Sequence, residues 1–178
     1  VLVRGERVTF TITTVCLGNI CRSPMAEAVI RARVDDAGLS RQVVVNSAGT
    51  DGWHIDEDAD PRALATLRAN GYDLEHRGRQ FQSAWHDPDH PDFGDLVLTM
   101  DSANYATVLS LADGPVEHRV RMMRSFDPAL AGIPDGDPRL DVPDPWFGDV
   151  DGFTDVLRML ESAADGLVAQ LPTLMQRR

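Results

Sequence analysis

Apolar positions along the chain alternate between short dense runs and longer runs of helical spacing. Residues 8–15 are rich in β-branched side chains and read as a buried strand running into Cys16. Ser23 then suits a helix N-cap and Pro24 the first helical position. Ala26, Val29, Ile30, Val34 and Ala37 form the apolar stripe of that helix, and Gly38 ends it. Residues 42–45 form a second strand. Asp60 and Pro61 open a second helix, with Leu64 and Leu67 turned inward and Gly71 as terminator. A third strand spans 95–100, a third helix 102–111 and a short fourth strand 119–123. The last helix is the most regular, with Phe153, Val156, Leu157, Leu160, Ala164, Leu167, Val168 and Leu171 on one face and Pro172 near its end.

Strands alternating with helices predict an α/β fold whose parallel sheet is covered on both faces. Ligands of such sheets gather at the carboxyl ends of the strands, and the loop after the first strand begins at Cys16. No repeat, low-complexity tract or linker divides the 178 residues, so one domain spanning 1–178 is expected. No apolar run is long enough to cross a bilayer, and Arg4, Glu6 and Arg7 interrupt any signal-peptide pattern. A cytoplasmic protein is the expectation, leaderless export leaving no trace in a sequence.

The net charge of −11 argues against nucleic acid, which is bound through a basic face. An enzyme acting on phosphorylated groups would therefore need a local positive pocket within a negative field. All 17 basic residues are Arg, which we attribute to a GC-rich bacterial genome. The two cysteines, Cys16 and Cys21, make neither a disulfide framework nor a four-ligand zinc site.

The cysteine loop carries the chemistry. It reads Cys16-Leu17-Gly18-Asn19-Ile20-Cys21-Arg22-Ser23-Pro24. A Cys with an Arg six positions later is weak by itself, but here the loop leaves a strand, contains Gly and Asn, and ends on a helix. Such a loop aims successive N–H groups at one point, and the helix N-terminus adds partial positive charge. Arg22 can grip two phosphate oxygens, the same field favours a thiolate on Cys16, and Ser23 can donate its hydroxyl to the sulfur. Attack of that thiolate on phosphorus would give a cysteinyl phosphate.

These residues resemble the signature loop of low-molecular-weight protein tyrosine phosphatases. The likeness continues through Ser47-Ala48-Gly49-Thr50, Trp53-His54, Asp60-Pro61-Arg62-Ala63, His76-Arg77-Gly78-Arg79-Gln80, Met100-Asp101 with Asn104, and Asp141-Val142-Pro143-Asp144-Pro145. The resemblance implies a three-layer fold, a four-stranded parallel sheet between helices with a phosphate-binding loop after the first strand. It implies Cys16 as nucleophile, Arg22 as phosphate clamp and Asp144 as general acid. It implies that Leu17, Gly18, Asn19, Ile20, Cys21 and Ser23 surround the substrate. Asn19 would hold the loop through Ser23, Ser47 and His76. Phosphotyrosine-containing proteins are then the partners, with no cofactor, no metal and no membrane, and a monomer is expected.

Asp144 can also be argued from its neighbours. A phenolate leaving group needs a proton and the next step needs a base, and one carboxyl serves both. Asp-Pro occurs five times, at Asp60, Asp87, Asp127, Asp137 and Asp144, and each can be a simple turn. Only Asp144 is followed by two aromatics, Trp146 and Phe147, which with Trp53 can wall a slot for a flat ring; either Trp can instead be a core residue. The family often has Tyr in place of Trp146 and Phe147.

Residues 81–94 form a longer stretch than the family implies. His86 and His90 raise a metal reading there, but Pro88 and Pro91 favour a solvated loop. Three other functions compete. Arsenate reductases share the loop, yet the thioredoxin-coupled kind needs downstream cysteines and none follows Cys21. Phosphoarginine phosphatases have a small hydroxyl residue where Ile20 stands. A non-catalytic phosphotyrosine-binding module should have lost the nucleophile or the acid. Cys21 either shields Cys16 through a reversible disulfide or fills the underside of the loop as a buried thiol.

Overall fold

The computed structural model describes residues 9–177, so Val8 of the expected first strand and Arg4, Glu6 and Arg7 lie outside the described residues. The elements run β1 (Phe10–Cys16), α1 (Arg22–Asp36), β2 (Val43–Gly49), α2 (Pro61–Ala69), β3 (Leu96–Thr99), α3 (Ser102–Ser110), β4 (Val120–Met122) and α4 (Val150–Gln176). All strand pairs are parallel, in the order β2-β1-β3-β4. The chain moves from β1 to one side for β2 and to the other for β3. The reversal falls at the carboxyl end of β1, where crossovers diverge and open a crevice. Cys16 is the last residue of that strand.

The period of two in the strands divides the core. Phe10, Ile12, Val43, Val45, Leu96 and Leu98 face α1, α2 and α4, meeting Met25, Val29, Ile30, Leu67, Phe153, Leu157 and Leu160. Val15, Ala48, Val97 and Val120 face the other way, against Val108 of α3 and Phe81 and Trp85. No helix among the described residues is long and apolar enough to cross a membrane.

Several local expectations change. β2 continues to Gly49, beyond the expected 42–45, because Asn46, Ser47 and Ala48 stay in register with β1 despite weak strand preference. Leu67 is buried as expected, but Ala63 and Thr66 share its face and Leu64 is only half-buried. Ala37 is an exposed C-cap rather than part of the stripe of α1. α4 runs one turn past Pro172. The stretch 81–94 is no merely solvated loop: Phe81, Trp85 and Phe93 are buried, and residues 83–86 wind into a short 3-10 turn. His86 Nδ1 accepts from Arg119 at 2.6 Å and its Nε2 donates to the carbonyl of Val108 at 3.0 Å. Among the described residues no group of His, Cys, Asp or Glu could hold a metal ion.

Candidate active site

The loop between β1 and α1 is shaped from outside. The carbonyl of Cys16 accepts from Thr50 N–H, Leu17 from Asp51 N–H, and Ile20 from Asp60 N–H, at 2.8–2.9 Å. That of Asn19 accepts from His76 Nε2 at 2.7 Å. A trans peptide points its C=O and the next N–H in opposite directions. Four carbonyls held on the outer side therefore turn the N–H groups of Leu17, Gly18, Ile20 and Cys21 toward the centre of the loop. Gly49 permits this closeness: a Cβ there would lie 2.6 Å from the Leu17 carbonyl oxygen.

Asn19 takes a positive φ of 56°, a conformation Asn tolerates better than most residues. Its buried side chain makes the turn worth keeping. Nδ2 donates to Ser23 Oγ at 2.9 Å and to Ser47 Oγ at 3.0 Å, and Oδ1 accepts from Arg79 N–H at 2.8 Å. Ser47 in turn donates to Glu27 Oε2 at 2.6 Å, and Arg31 bonds the other oxygen of Glu27. Ser23 Oγ closes the chain 3.0 Å from Cys16 Sγ.

Ser23 is therefore not the N-cap of α1. The cap is Cys21, whose side chain makes no capping bond, and Ser23 lies one residue inside the helix with its hydroxyl turned back to Cys16. The first-turn N–H groups are thus not covered by a cap side chain. Both cysteines are free thiols. Burial pushes the Cys21 thiol far above its usual range, with Asp60, Cys16 and Asp144 adding to it, so Cys21 stays protonated.

Arg22 is buried and held by three acceptors. Its NH1 donates to Asp101 Oδ2 at 2.6 Å and to the Val142 carbonyl at 3.0 Å, and NH2 to Asp144 Oδ2 at 3.2 Å. Asp101 is itself the N-cap of α3, accepting from Asn104 N–H. The five Asp-Pro aspartates share one local role. Asp60, Asp87, Asp127, Asp137 and Asp144 each accept an N–H two residues ahead. Turn and site coincide at Asp144, where Oδ1 makes the turn and Oδ2 meets Arg22.

A cavity of about 150 Å³ joins Cys16, Leu17, Gly18, Ile20, Cys21, Arg22, Trp53, His54, Asp144, Trp146 and Phe147. Trp53 is 75% and Phe147 88% exposed, which removes the core reading for Trp53. Trp146 meets Phe147 edge to face at 4.7 Å. Asn19 and Ser23 do not line this cavity; their side chains lie behind the loop. Ser47 and His76 lie further back in the same network.

Sequence reasoning missed Glu27 and gave no individual role to Asp101, Arg79 and His54, which lie in the segments that carry the resemblance. Glu27 sits on the buried face of α1 with Ser23, Ile30 and Val34, a spacing that could have exposed it as a buried acid in need of partners. Asp101 follows β3 at the carboxyl edge of the sheet, a position that itself predicts site residues. His54 packs near Gly18, and its Nδ1 lies 2.6 Å from Glu57 Oε2.

Burial holds His76 below its ordinary pKa, although the Asn19 carbonyl opposes this. His86 is lowered for the same chief reason. Below about pH 6.5 the unfolded chain binds protons that the folded chain refuses, so stability should fall as pH falls. The loss is up to about 1.4 kcal/mol per pH unit for His76, and less for the partly exposed His86, where solvent screens the shift. Thermal unfolding between pH 7.5 and 5.5 should show a falling Tm, with a shallower slope in His76→Gln. Equal slopes in both proteins would mean that His76 charges freely in the fold.

The sequence profile described as low molecular weight phosphotyrosine protein phosphatase matches residues 11–177. A Streptomyces coelicolor low molecular weight protein-tyrosine-phosphatase is 48% identical over 176 residues, covering 96% of this chain and 99% of that one. Among solved structures, a protein tyrosine phosphatase from Entamoeba histolytica superimposes with a TM-score of 0.80 at 30% identity, covering 93% and 98% of the two chains. The YwlE arginine phosphatase, solved as a mutant with a phosphorylated active-site serine, gives 0.75 at 27% identity, covering 92% and 96%. With its loop, its parallel sheet and these relatives in agreement, the chain belongs to the low molecular weight protein tyrosine phosphatases.

Proposed function

We propose that this phosphatase hydrolyses phosphotyrosine in proteins through a cysteinyl phosphate on Cys16, with Asp144 as general acid and then general base. The observation that carries this reading is the convergence of Cys16, Arg22 and Asp144 on one cavity, beneath outward-bonded carbonyls. In the first step the Cys16 thiolate attacks phosphorus and the bond to the phenolic oxygen breaks. Asp144 gives that oxygen its proton. In the second step water attacks phosphorus, Asp144 takes a proton from it, and the S–P bond breaks. Ser23 Oγ, 3.0 Å from the sulfur, donates to the thiolate that leaves. Loop N–H groups and the Arg22 fork stabilise the equatorial oxygens in both transition states. The phosphorylated active-site serine of the YwlE mutant supports a covalent intermediate.

Selectivity for an aryl ester rests on the walls. Trp53, Trp146 and Phe147 supply apolar faces for a ring, and the side chain of Ile20 offers no polar group to a guanidinium. Initial rates on phosphotyrosine, phosphoserine and phosphoarginine peptides test the reading directly. Phosphotyrosine should be preferred, and Asp144→Asn should lower its kcat/KM by about 10²- to 10³-fold. A preference for phosphoarginine would assign the chain to the activity that YwlE carries. An unaffected Asp144→Asn enzyme would remove Asp144 from the acid role.

A further inference from the structure

The segment that carries Asp144 is anchored by the buried Pro145 and by the bond from Arg22 to Asp144 Oδ2, but its outer part is exposed. Trp146 is half-exposed, and Phe147, Gly148 and Asp149 lie in solvent. Its internal bonds, Trp146 N–H to Asp144 Oδ1 and Gly148 N–H to the Pro145 carbonyl, shape a turn without fixing where that turn sits. Among the described residues, the hydrogen bonds that tie residues 145–148 to another part of the fold come from Arg62. Its NH2 donates to the Trp146 carbonyl and its NH1 to the Gly148 carbonyl, both at 3.2 Å.

Arg62 is itself oriented. Asp60 accepts its Nε at 3.0 Å and its NH2 at 2.8 Å, in the two-pronged geometry of an Arg–carboxylate pair. The guanidinium lies over the Phe153 ring, 4.8 Å from its centre, near the start of α4. Asp60 also caps α2 through Arg62 N–H and gives its own N–H to the Ile20 carbonyl, within the cysteine loop. Residues 60–62 thus touch the loop that carries Cys16 and the turn that carries Asp144 at once. An isolated surface ion pair contributes little. This one differs in that the same planar group also bridges two backbone carbonyls.

We propose that Arg62, oriented by Asp60, is a positioning residue for catalysis, holding the 145–148 turn so that the Asp144 carboxyl stays on the cavity shared with Cys16. The inference rests on Asp144 being the general acid. A carboxyl displaced by about 1 Å loses much of its power to transfer a proton, whereas the nucleophile and the anion cradle are untouched.

Leaving-group dependence separates this role from a structural one. A phenolate of high basicity needs the proton, and a dinitrophenolate leaves without it. The kcat/KM of Arg62→Ala should fall about ten-fold or more on phenyl phosphate and several-fold less on dinitrophenyl phosphate. Arg62→Lys should behave similarly, because an ammonium cannot bridge both carbonyls and Asp60 in one plane. Asp144→Asn should show the same leaving-group dependence, more steeply, and adding Arg62→Ala to it should cause little further loss. Equal loss on both esters in Arg62→Ala, or no loss, beside a leaving-group-dependent Asp144→Asn, would overturn the positioning role and leave the acid assignment standing. No leaving-group dependence in Asp144→Asn would overturn both.

Discussion

Replacing Cys16 by Ser should abolish turnover of phosphotyrosine, by at least about 10⁴-fold in kcat, while leaving the fold and the binding of a phosphotyrosine peptide in place. The substitution changes one atom of a side chain that is 3% exposed and packed against Ser23, so the loop keeps its shape. What is lost is the thiolate. A serine hydroxyl is the weaker nucleophile and its alkoxide a far poorer leaving group from phosphorus, so any phosphoserine formed would persist, as in the phosphorylated-serine mutant of YwlE. Stopped-flow or steady-state rates check the loss, and calorimetric titration with the peptide checks the binding. Cys21→Ser is the control: its thiol is held protonated by burial and should contribute nothing as a nucleophile. Retention of more than about a hundredth of the rate in Cys16→Ser would place the nucleophile elsewhere.

Arg22 should be nearly as sensitive, and for two separable reasons. Its side chain has no freedom, being fixed by Asp101 at 2.6 Å and Val142 at 3.0 Å, so the guanidinium is already aimed when phosphate arrives. Removing a donor organised in advance for a developing anion costs about 10²- to 10³-fold in kcat, and losing two at once costs more. Arg22→Lys keeps the charge but not the fork, so activity should drop by at least about 10³-fold with stability little changed. Arg22→Met should lose activity similarly and also about 1–3 kcal/mol of stability, because the Asp101 carboxylate, one-fifth exposed, loses its ionic partner. Rates with denaturant unfolding on both variants check the contrast. A Lys enzyme close to wild type would mean that charge suffices and orientation does not matter.

Much of the fold was legible because its signals are local. The strand into Cys16 and the periodic face of α4 follow from side-chain spacing, and their packing obeys it. The polar half of β2 was not legible, since Asn46, Ser47 and Ala48 are held in the sheet by their neighbours on β1. The stretch 81–94 misled for the opposite reason. Its prolines and acids look solvated, yet Phe81 and Trp85 complete the core on the second face of the sheet.

The site divides in the same way. Seven consecutive positions, from Cys16 to Arg22, place the proposed nucleophile, a turn and the proposed clamp on one strand–loop–helix connection, whose shape distant chain then holds. The sequence by itself determined this, together with the class of chemistry it serves. The tertiary structure decided that the Asp-Pro turn singled out in the sequence faces Arg22, and that the Ser23 hydroxyl lies beside the Cys16 sulfur rather than capping the helix. It alone joined Asn19 to Arg79, Glu27 to Ser47 and Arg62 to the 145–148 turn. These partners lie 20 to 86 positions apart in sequence. Residue spacing carries no record of such contacts; they exist only once the sheet has brought its strand ends to one edge.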